Sequence, residues 1–353
     1  MSEKLKVAVI GVGNLSQSHI AAYLENPDVE LYAFCDIDPD RLTMMGNRYG
    51  ITRLYTDCNE MLSALPELDA VSVTTWNSAH APCTIAALNA GKHVLCEKPM
   101  AMTTEEAQAM KEAADRNGKV LMLGFVCRHE AGTKFLKKYI DGGNFGKIYF
   151  GKAVYLRRDG NPGGWFGDKS RSGGGPVIDL GVHFIDEIRY LAGNPKPVSV
   201  YAITFNELNH RKGQIGKEKY LCSSAKPGDP CDVEEAAVAY VRFEGGLVLS
   251  LETSYDLNIK DTRYEVLLCG TKAGASLYPE LEIVGDTDGV ESNLKLEIPT
   301  GDDPQCFYNE INHFVDCALG RCACIAPAED GVEIMRILNA IYESAETGKE
   351  VLL

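Results

Sequence analysis

The run Lys6-Val7-Ala8-Val9-Ile10-Gly11-Val12-Gly13-Asn14-Leu15-Ser16 decides the fold. An apolar, β-branched stretch reads as a buried strand, two glycines follow it, and a helical pattern then runs from Asn14 to Asn26. A strand that turns through glycines into a helix is built to hold a dinucleotide pyrophosphate. The first glycine permits the tight turn, the second lets the ligand approach the backbone, and the helix N-terminus offers unpaired N–H groups and a positive dipole end. Ser16 stands where a third glycine usually falls, so the motif is weak by itself and its context strengthens it. Asp36 closes the next strand roughly twenty residues on, where a carboxylate receives the adenosine ribose hydroxyls. It repels a 2′-phosphate and no arginine immediately follows it, so NAD is favoured over NADP. Asp38 is the better placed of the two to cap the next helix.

Outward from this point the first third of the chain alternates strands and helices. Strands are expected at Lys6–Ile10, Val29–Cys35, Ala70–Thr75, His93–Glu97 and Val120–Phe125. Helices are expected at Asn14–Asn26, Pro39–Tyr49, Asp57–Ala64, Ser78–Ala90 and Thr103–Asn117. Strands that are apolar throughout and separated by helices predict a parallel sheet covered on both faces. The pattern changes near residue 125. After a helix at Glu130–Tyr139 come long alternating strands at Lys147–Arg157, Val198–Leu208, Glu235–Phe243, Leu247–Ser254 and Tyr264–Cys269. Turns such as Gly245-Gly246 join neighbours directly, which marks antiparallel pairing. One helix (Pro176–Leu191) interrupts this second, open sheet, and two more (Phe307–Leu319, Pro327–Ala345) follow it. The division expected is therefore residues 1–125 as an NAD-binding domain and 126–353 as a substrate-binding and oligomerisation domain. Residues 209–232, rich in Lys, Gly, Ser and Pro, read as an inserted loop, a lid or an oligomer contact.

A chain of 353 residues is too long for one ordinary core. It is 45% hydrophobic and 24% charged with a net charge of −15, so nucleic acid is excluded as a partner by repulsion from its phosphates. The opening Met1-Ser2-Glu3-Lys4-Leu5-Lys6 has no apolar leader and no stretch is long enough to span a bilayer, so a cytoplasmic location with no membrane partner is expected. The twelve cysteines contain no Cys-x-x-Cys, and Cys35, Cys96 and Cys269 fall in strand-like runs. Only Cys322-x-Cys324 and the Cys222/Cys231 pair are suggestive spacings. Incidental thiols in a reducing compartment are the expectation, and no metal.

Two further segments carry chemistry. Gly91-Lys92-His93-Val94-Leu95-Cys96-Glu97-Lys98-Pro99 ends a strand on an ammonium followed by proline, at the carboxyl edge of the sheet where such folds place ligands. Pro99 confines Lys98 to extended geometry and admits a cis bond. Gly173-Gly174-Gly175-Pro176-Val177-Ile178-Asp179-Leu180-Gly181-Val182-His183 is a glycine loop opening a helix, with Asp179 and His183 four residues apart on one face. An alcohol that loses a hydride to a nicotinamide also loses a proton, which requires a cation near the developing alkoxide and a base of suitable pKa. Lys98 supplies the cation, His183 the base, and Asp179 orients the imidazole or holds a neighbouring hydroxyl. Whether Lys98 or His183 is the formal acid/base is open at this stage. Asp179 as a dipole partner and His183 as a core residue are the bland alternatives.

These stretches, with Thr75-Trp76-Asn77-Ser78-Ala79-His80 and Asp186, resemble the Gfo/Idh/MocA oxidoreductase family over essentially the whole chain. The resemblance implies an α/β protein, with an N-terminal Rossmann domain and a C-terminal α/β domain bearing a large open, mostly antiparallel sheet. That sheet commonly forms the face of a homodimer or homotetramer. The family oxidises or reduces secondary alcohols of sugars and cyclitols with NAD(P). Trp76, where many members have proline, looks like the inositol dehydrogenase branch and lies there near the cofactor. The candidate cofactor residues are thus Gly11, Gly13, Asn14, Leu15, Asp36, Thr75, Trp76, Asn77, His80, Glu97 and Lys98, although Asn77 or Ser78 could equally cap a helix and Glu97 could be structural. Candidate substrate residues are Lys98, Arg128, Trp165, Asp179 and His183. Trp165 could stack on a sugar ring or anchor its loop, only one of Arg157 and Arg158 can face a pocket, and Tyr308 and His313 are weaker candidates. A dehydrogenase of a sugar, glycoside or cyclitol is the leading expectation. An NAD-dependent glycosidase using transient C3 oxidation and a non-catalytic NAD-binding sensor or scaffold are the competitors.

Overall fold

The computed structural model describes residues 4–208, 221–301 and 305–353. The chain begins β1 (Leu5–Ile10), α1 (Ser16–Glu25), β2 (Val29–Cys35), α2 (Pro39–Tyr49), β3 (Leu54–Tyr55), α3 (Cys58–Ala64), β4 (Ala70–Val73), α4 (His80–Asn89), β5 (His93–Glu97), α5 (Thr104–Asn117) and β6 (Leu121–Gly124). It continues with α6 (Ala131–Asp141), β7 (Ile148–Leu156), α7 (Lys169–Ser172), α8 (Val182–Leu191), β8 (Pro197–Phe205), β9 (Ala236–Phe243), β10 (Val248–Ser254), β11 (Arg263–Gly270), β12 (Ala273–Ser276), β13 (Glu282–Thr287) and β14 (Val290–Lys295). Last come α9 (Cys306–Ala318), α10 (Ala328–Thr347) and β15 (Val351–Leu352).

Two compact units result. One comprises the chain to Gly124 and the segment carrying α9 and ending at Val332; the other begins at Phe125 and takes up the chain again at Glu333–Leu353. In the first, six strands pair in the order β3-β2-β1-β4-β5-β6, all parallel. This is the doubly wound order whose reversal, between β1 and β4, opens a crevice at the carboxyl ends. Val9, Val12, Ile20, Phe34, Leu42 and Met45 form a core beneath it, contributed by the sheet, α1 and α2. The sequence reading placed everything after residue 125 in the second domain; the structure returns α9 to the first. The Phe307 ring lies tilted against the His19 ring with centroids 6.2 Å apart, and Asn312 accepts from Asn26 at 2.6 Å, so α9 lies on α1.

The second unit holds nine strands in the order β14-β13-β12-β11-β7-β10-β9-β8-β15. Only β7 and β10 run parallel; the other pairings are antiparallel, including the β9–β10 hairpin across Gly245 and Gly246. Helix α8 lies across β7, β10 and β11. Two expected helices start differently. The one expected from Ser78 opens as a 3-10 turn over Asn77–Ala79 and becomes α-helical at His80, with no side chain capping either segment. The one expected over Pro176–Leu191 is a π-helical turn at Val177–Gly181 before α8.

Candidate active site

The first unit presents a dinucleotide cradle. Gly11 has φ +88°, and a Cβ there would sit 2.8–2.9 Å from the Thr74 carbonyl and the Thr75 amide, so only glycine lets β1 and β4 close the turn. A Cβ on Gly13 would meet nothing nearer than Arg41 Nη1 at 4.0 Å, which leaves that backbone open to a ligand. Helix α1 starts without a side-chain cap at Leu15 and without an acid in its first turn, so no side chain neutralises its positive dipole end, which suits an anion. Ser16 takes the third glycine's place at no cost, because its buried hydroxyl donates to the Gly13 carbonyl at 2.7 Å.

Asp36 accepts from Val12 N–H at 2.8 Å and from Asp38 N–H at 2.9 Å. It thereby fixes the glycine turn while keeping acceptor capacity for a diol. Asp38 is the cap of α2, accepting from Asp40 and Arg41 amides at 3.1 Å. The turn after β4 is braced by Thr74, whose hydroxyl donates to the Gly11 carbonyl at 2.6 Å, and by Thr75, whose hydroxyl donates to the Trp76 carbonyl at 3.1 Å. Trp76 itself is half-buried and Asn77 is buried.

Lys98, half-buried, stands just beyond β5 with a cis bond to Pro99. Its surroundings are held by two histidines. His80 lies between the Pro99 carbonyl (2.7 Å from Nδ1) and the Thr75 carbonyl (3.2 Å from Nε2), and burial lowers its pKa. A neutral ring then donates to its nearer partner, Pro99. With 1% exposure and both nitrogens engaged with main chain, His80 is a brace between two loops, and its expected contact with cofactor is corrected accordingly. His19, which the sequence reading passed over, lies fully buried in α1 with Nε2 2.9 Å from Glu97 Oε1 and Nδ1 3.3 Å from the Ser72 hydroxyl. Glu97 also accepts from the Lys98 amide at 3.1 Å. Of its two expected roles, the structure displays the structural one: the carboxylate anchors the backbone that presents Lys98. A histidine in the helix after the glycine turn was the only available signal, and nothing in the sequence connected it to Glu97.

The second unit offers an imidazole and a carboxylate on one surface. From Gly174 to Arg189 every residue is buried except Asp179 and His183. Asp179 accepts from the Tyr255 hydroxyl at 2.9 Å, and His183 Nδ1 lies 3.9 Å from Cys127 Sγ. Burial, then the Asp179 charge, push the Tyr255 pKa far up, so the phenol stays a donor. Tyr255 went unread in the sequence because it is one aromatic at a strand end. Arg157 donates to Tyr155, 2.7 Å away, and Tyr155 stacks on Phe184 at 5.1 Å; Arg158 turns to the Lys260 carbonyl.

The glycine loop before Asp179 owes its composition to packing. Cβ atoms on Gly174 and Gly175 would fall 1.9 Å from the Tyr342 hydroxyl and 2.1 Å from the Glu234 carbonyl. The buried Glu234 carboxylate accepts from the Gly175 and Val177 amides at 2.9 and 3.1 Å and from Tyr342 at 2.9 Å. Four groups thus fix where the π-turn begins, and wide turns of this kind recur at functional sites.

Arg128 departs from expectation. Its guanidinium is fully buried, bonded to Asp186 at 2.6 and 2.9 Å and sandwiched against the Phe125 and Tyr190 rings. A guanidinium so enclosed offers no surface to a sugar, so Arg128 is withdrawn as a substrate residue and Asp186 is its counter-ion. Trp165 is half-buried in a 3-10 turn and stacks on Phe166 at 4.0 Å. The expected insertion 209–232 lies partly outside the described residues. Its described end packs on the Trp165 loop, with Cys222 N–H on the Pro162 carbonyl and Asp232 N–H on the Gly167 carbonyl, both at 3.0 Å.

Comparison with known proteins agrees with this geometry. Residues 5–125 match the model of an oxidoreductase family with an NAD-binding Rossmann fold, and residues 133–276 match the GFO/IDH/MocA C-terminal domain. The chain is 37% identical to a D-glucoside 3-dehydrogenase of Escherichia coli K12, over 100% of this chain and 98% of that one. It is 30% identical to a levoglucosan dehydrogenase of Pseudarthrobacter phenanthrenivorans, over 76% of this chain and 72% of that one. Among solved structures it is similar to a levoglucosan dehydrogenase in complex with NADH and levoglucosan, with a TM-score of 0.85 and 26% identity over 99% of both chains.

Proposed function

Because the chain belongs to the Gfo/Idh/MocA oxidoreductase family and binds NAD through its Rossmann unit, we propose that it oxidises a ring secondary alcohol of a sugar or glycoside, with Lys98, His183 and Asp179 as the reacting side chains. NAD supplies the hydride acceptor; the protein supplies the proton path and the charge. Lys98 hydrogen-bonds the reacting oxygen and stabilises the alkoxide-like charge. His183 takes the proton. Asp179, steadied by Tyr255, receives a neighbouring hydroxyl or orients the imidazole. Gly13, Asn14 and Leu15 meet the pyrophosphate, Asp36 meets the ribose, and Thr75, Trp76 and Asn77 line the nicotinamide end. Trp165 stacks on the sugar.

The observation that carries this reading is that Asp179 and His183 alone are partly exposed within an otherwise buried stretch of sixteen residues. Core residues in such a run would be apolar or bonded out of solvent. The relatives named glucoside and levoglucosan dehydrogenases point to pyranosides before cyclitols. The test is NADH absorbance across hexoses, alkyl glucosides, anhydrosugars and inositols. Turnover on pyranosides with NAD and not on acyclic alcohols is expected; activity confined to acyclic alcohols would overturn the reading.

The finer setting belongs to the same proposal. Tyr201, Ile203 and Phe205 of β8 and Val238 and Tyr240 of β9 share one exposed sheet face, by the register Tyr201↔Tyr240 and Ile203↔Val238. Beside them Lys152 pairs with Glu252 and Glu265 at 3.6 and 3.8 Å. An apolar patch of this kind on an open sheet suits a second copy of the chain. No helix among the described residues is long and apolar enough to cross a membrane. No cysteine forms a disulfide, which supports a reducing, cytoplasmic setting.

A further inference from the structure

Helix α9 ends where the chain doubles back through Gly320, and the turn brings three cysteines to one histidine. One ring nitrogen of His313 and the sulfurs of Cys317 and Cys324 all lie within 4.8 Å of one another. Cys317 Sγ is 3.4 Å from His313 Nε2 and 3.6 Å from Cys322 Sγ, and Cys322 Sγ is 3.6 Å from His313 Nδ1. Around a tetrahedral zinc ion, with bonds of about 2.3 Å to sulfur and about 2.0 Å to nitrogen, sulfurs sit about 3.8 Å apart and sulfur lies about 3.5 Å from nitrogen. The Cys317–Nε2 and Cys317–Cys322 separations are already those of a ligand shell.

We propose that His313, Cys317 and Cys324, completed by Cys322, bind a thiophilic divalent cation of the zinc type. Two features support the site beyond proximity. His313 Nε2 accepts from the Ile325 amide at 3.1 Å, so this nitrogen is unprotonated and carries a lone pair, and binding exchanges that contact for a metal bond. Cys317 is buried while Cys322 is exposed, which gives a closed inner face and an entry side. Each thiol that ligates releases its proton to water, so affinity rises with pH.

The spacing His-x3-Cys-x4-Cys-x-Cys matches no common zinc signature, and for that reason spacing alone points to no metal. The fold supplies what spacing lacked: one helical turn sets His313 over Cys317, and the reversal at Gly320 delivers the other two. The turn leads directly to Ala326, whose carbonyl accepts from Leu123 of β6 at 2.9 Å, and to Pro327, which bridges Met122. A metal clip there fastens α9 to the outer strand of the parallel sheet, well apart in sequence from the residues proposed for catalysis.

The test uses tag-free full-length protein, reduced, metal-stripped and titrated with Zn²⁺ and Co²⁺. About one equivalent should bind per chain, with thiolate charge-transfer and tetrahedral d–d absorption from Co²⁺. Binding should be lost in Cys317→Ser/Cys324→Ser and weakened in His313→Asn, and a Cys222→Ser/Cys231→Ser control should keep it. Should the double variant fold poorly, alkylation of the unaltered protein decides. Bound Zn²⁺ should protect Cys317, Cys322 and Cys324 and spare no other thiol. Octahedral cobalt spectra, unprotected alkylation of these cysteines, or a Cys317–Cys322 disulfide in a protein that binds no metal when reduced would each overturn the proposal.

Discussion

Lys98 and His183 divide the work of one oxidation, and their contributions separate by pH. An imidazole accepts a proton only when neutral, so sugar oxidation should rise with pH through a single ionisation. Lys98→Met should lower kcat by about a hundredfold or more while NAD affinity holds, as expected for a group that acts on developing charge. His183→Asn should lose the rate and most of the pH dependence together. The profiles of the two variants, measured side by side, decide the roles. If the ionisation survives without His183 and vanishes without Lys98, the lysine is the base. At this scale the sequence was informative where a residue type is rare in its context, as with an ammonium after a buried strand. It failed where a role depends on a distant partner. Arg128 read as a ligand because Asp186, its counter-ion, lies 58 positions away, and His19 was silent because Glu97 lies 78 positions away.

Elements meet through buried acids, and one such meeting has a measurable sign. Glu310 of α9 is fully buried with neither carboxylate oxygen bonded among the described residues, and lies in the same cluster as His19 and Glu97 of β5. Burial first, then the Glu97 charge, raise its pKa well above the ordinary 4.5. The folded chain therefore keeps a proton that the unfolded chain gives up. The stability this contributes is whole below pH 4.5 and is lost as pH rises toward the folded value. Glu310→Gln should accordingly gain thermal midpoint relative to the unaltered protein as pH is raised from 5 to 8, while the two converge in acid. A gap independent of pH would mean that Glu310 is not the group titrating. The helices and long strands were legible because their periodicity is strong. The strands β12, β13 and β14 were not. Ala273–Ser276 is short, and Val290–Lys295 is exposed at every position, so neither shows the alternation that marks a half-buried strand. The π-turn at Asp179 was hidden for another reason: it is set by the Glu234 cradle and not by local propensity.

At the scale of the whole molecule, the sequence predicted a doubly wound domain followed by an open sheet, but not that α9 returns to the first unit. An amphipathic helix reports that it covers something, and only the partners along α1 report what. The same holds for the open sheet face, where Tyr201, Ile203, Phe205, Val238 and Tyr240 alternate with buried neighbours yet remain exposed. A soluble monomer seldom leaves such a patch uncovered. If a second copy covers it, a two-fold arrangement sets each patch against its equivalent. One substitution then places two like charges in one interface, where desolvation and repulsion act together. Tyr240, 57% exposed, is the position to change, since a solvent-facing tyrosine contributes little to the fold of its own chain. Tyr240→Glu should shift the protein to monomer in light scattering at micromolar concentration, and Ile203→Glu should do the same. Both should keep NAD binding, because neither residue belongs to the parallel-sheet unit. An unaltered protein that is already monomeric, or variants that stay assembled, would assign this face to some other partner and remove it from the oligomer.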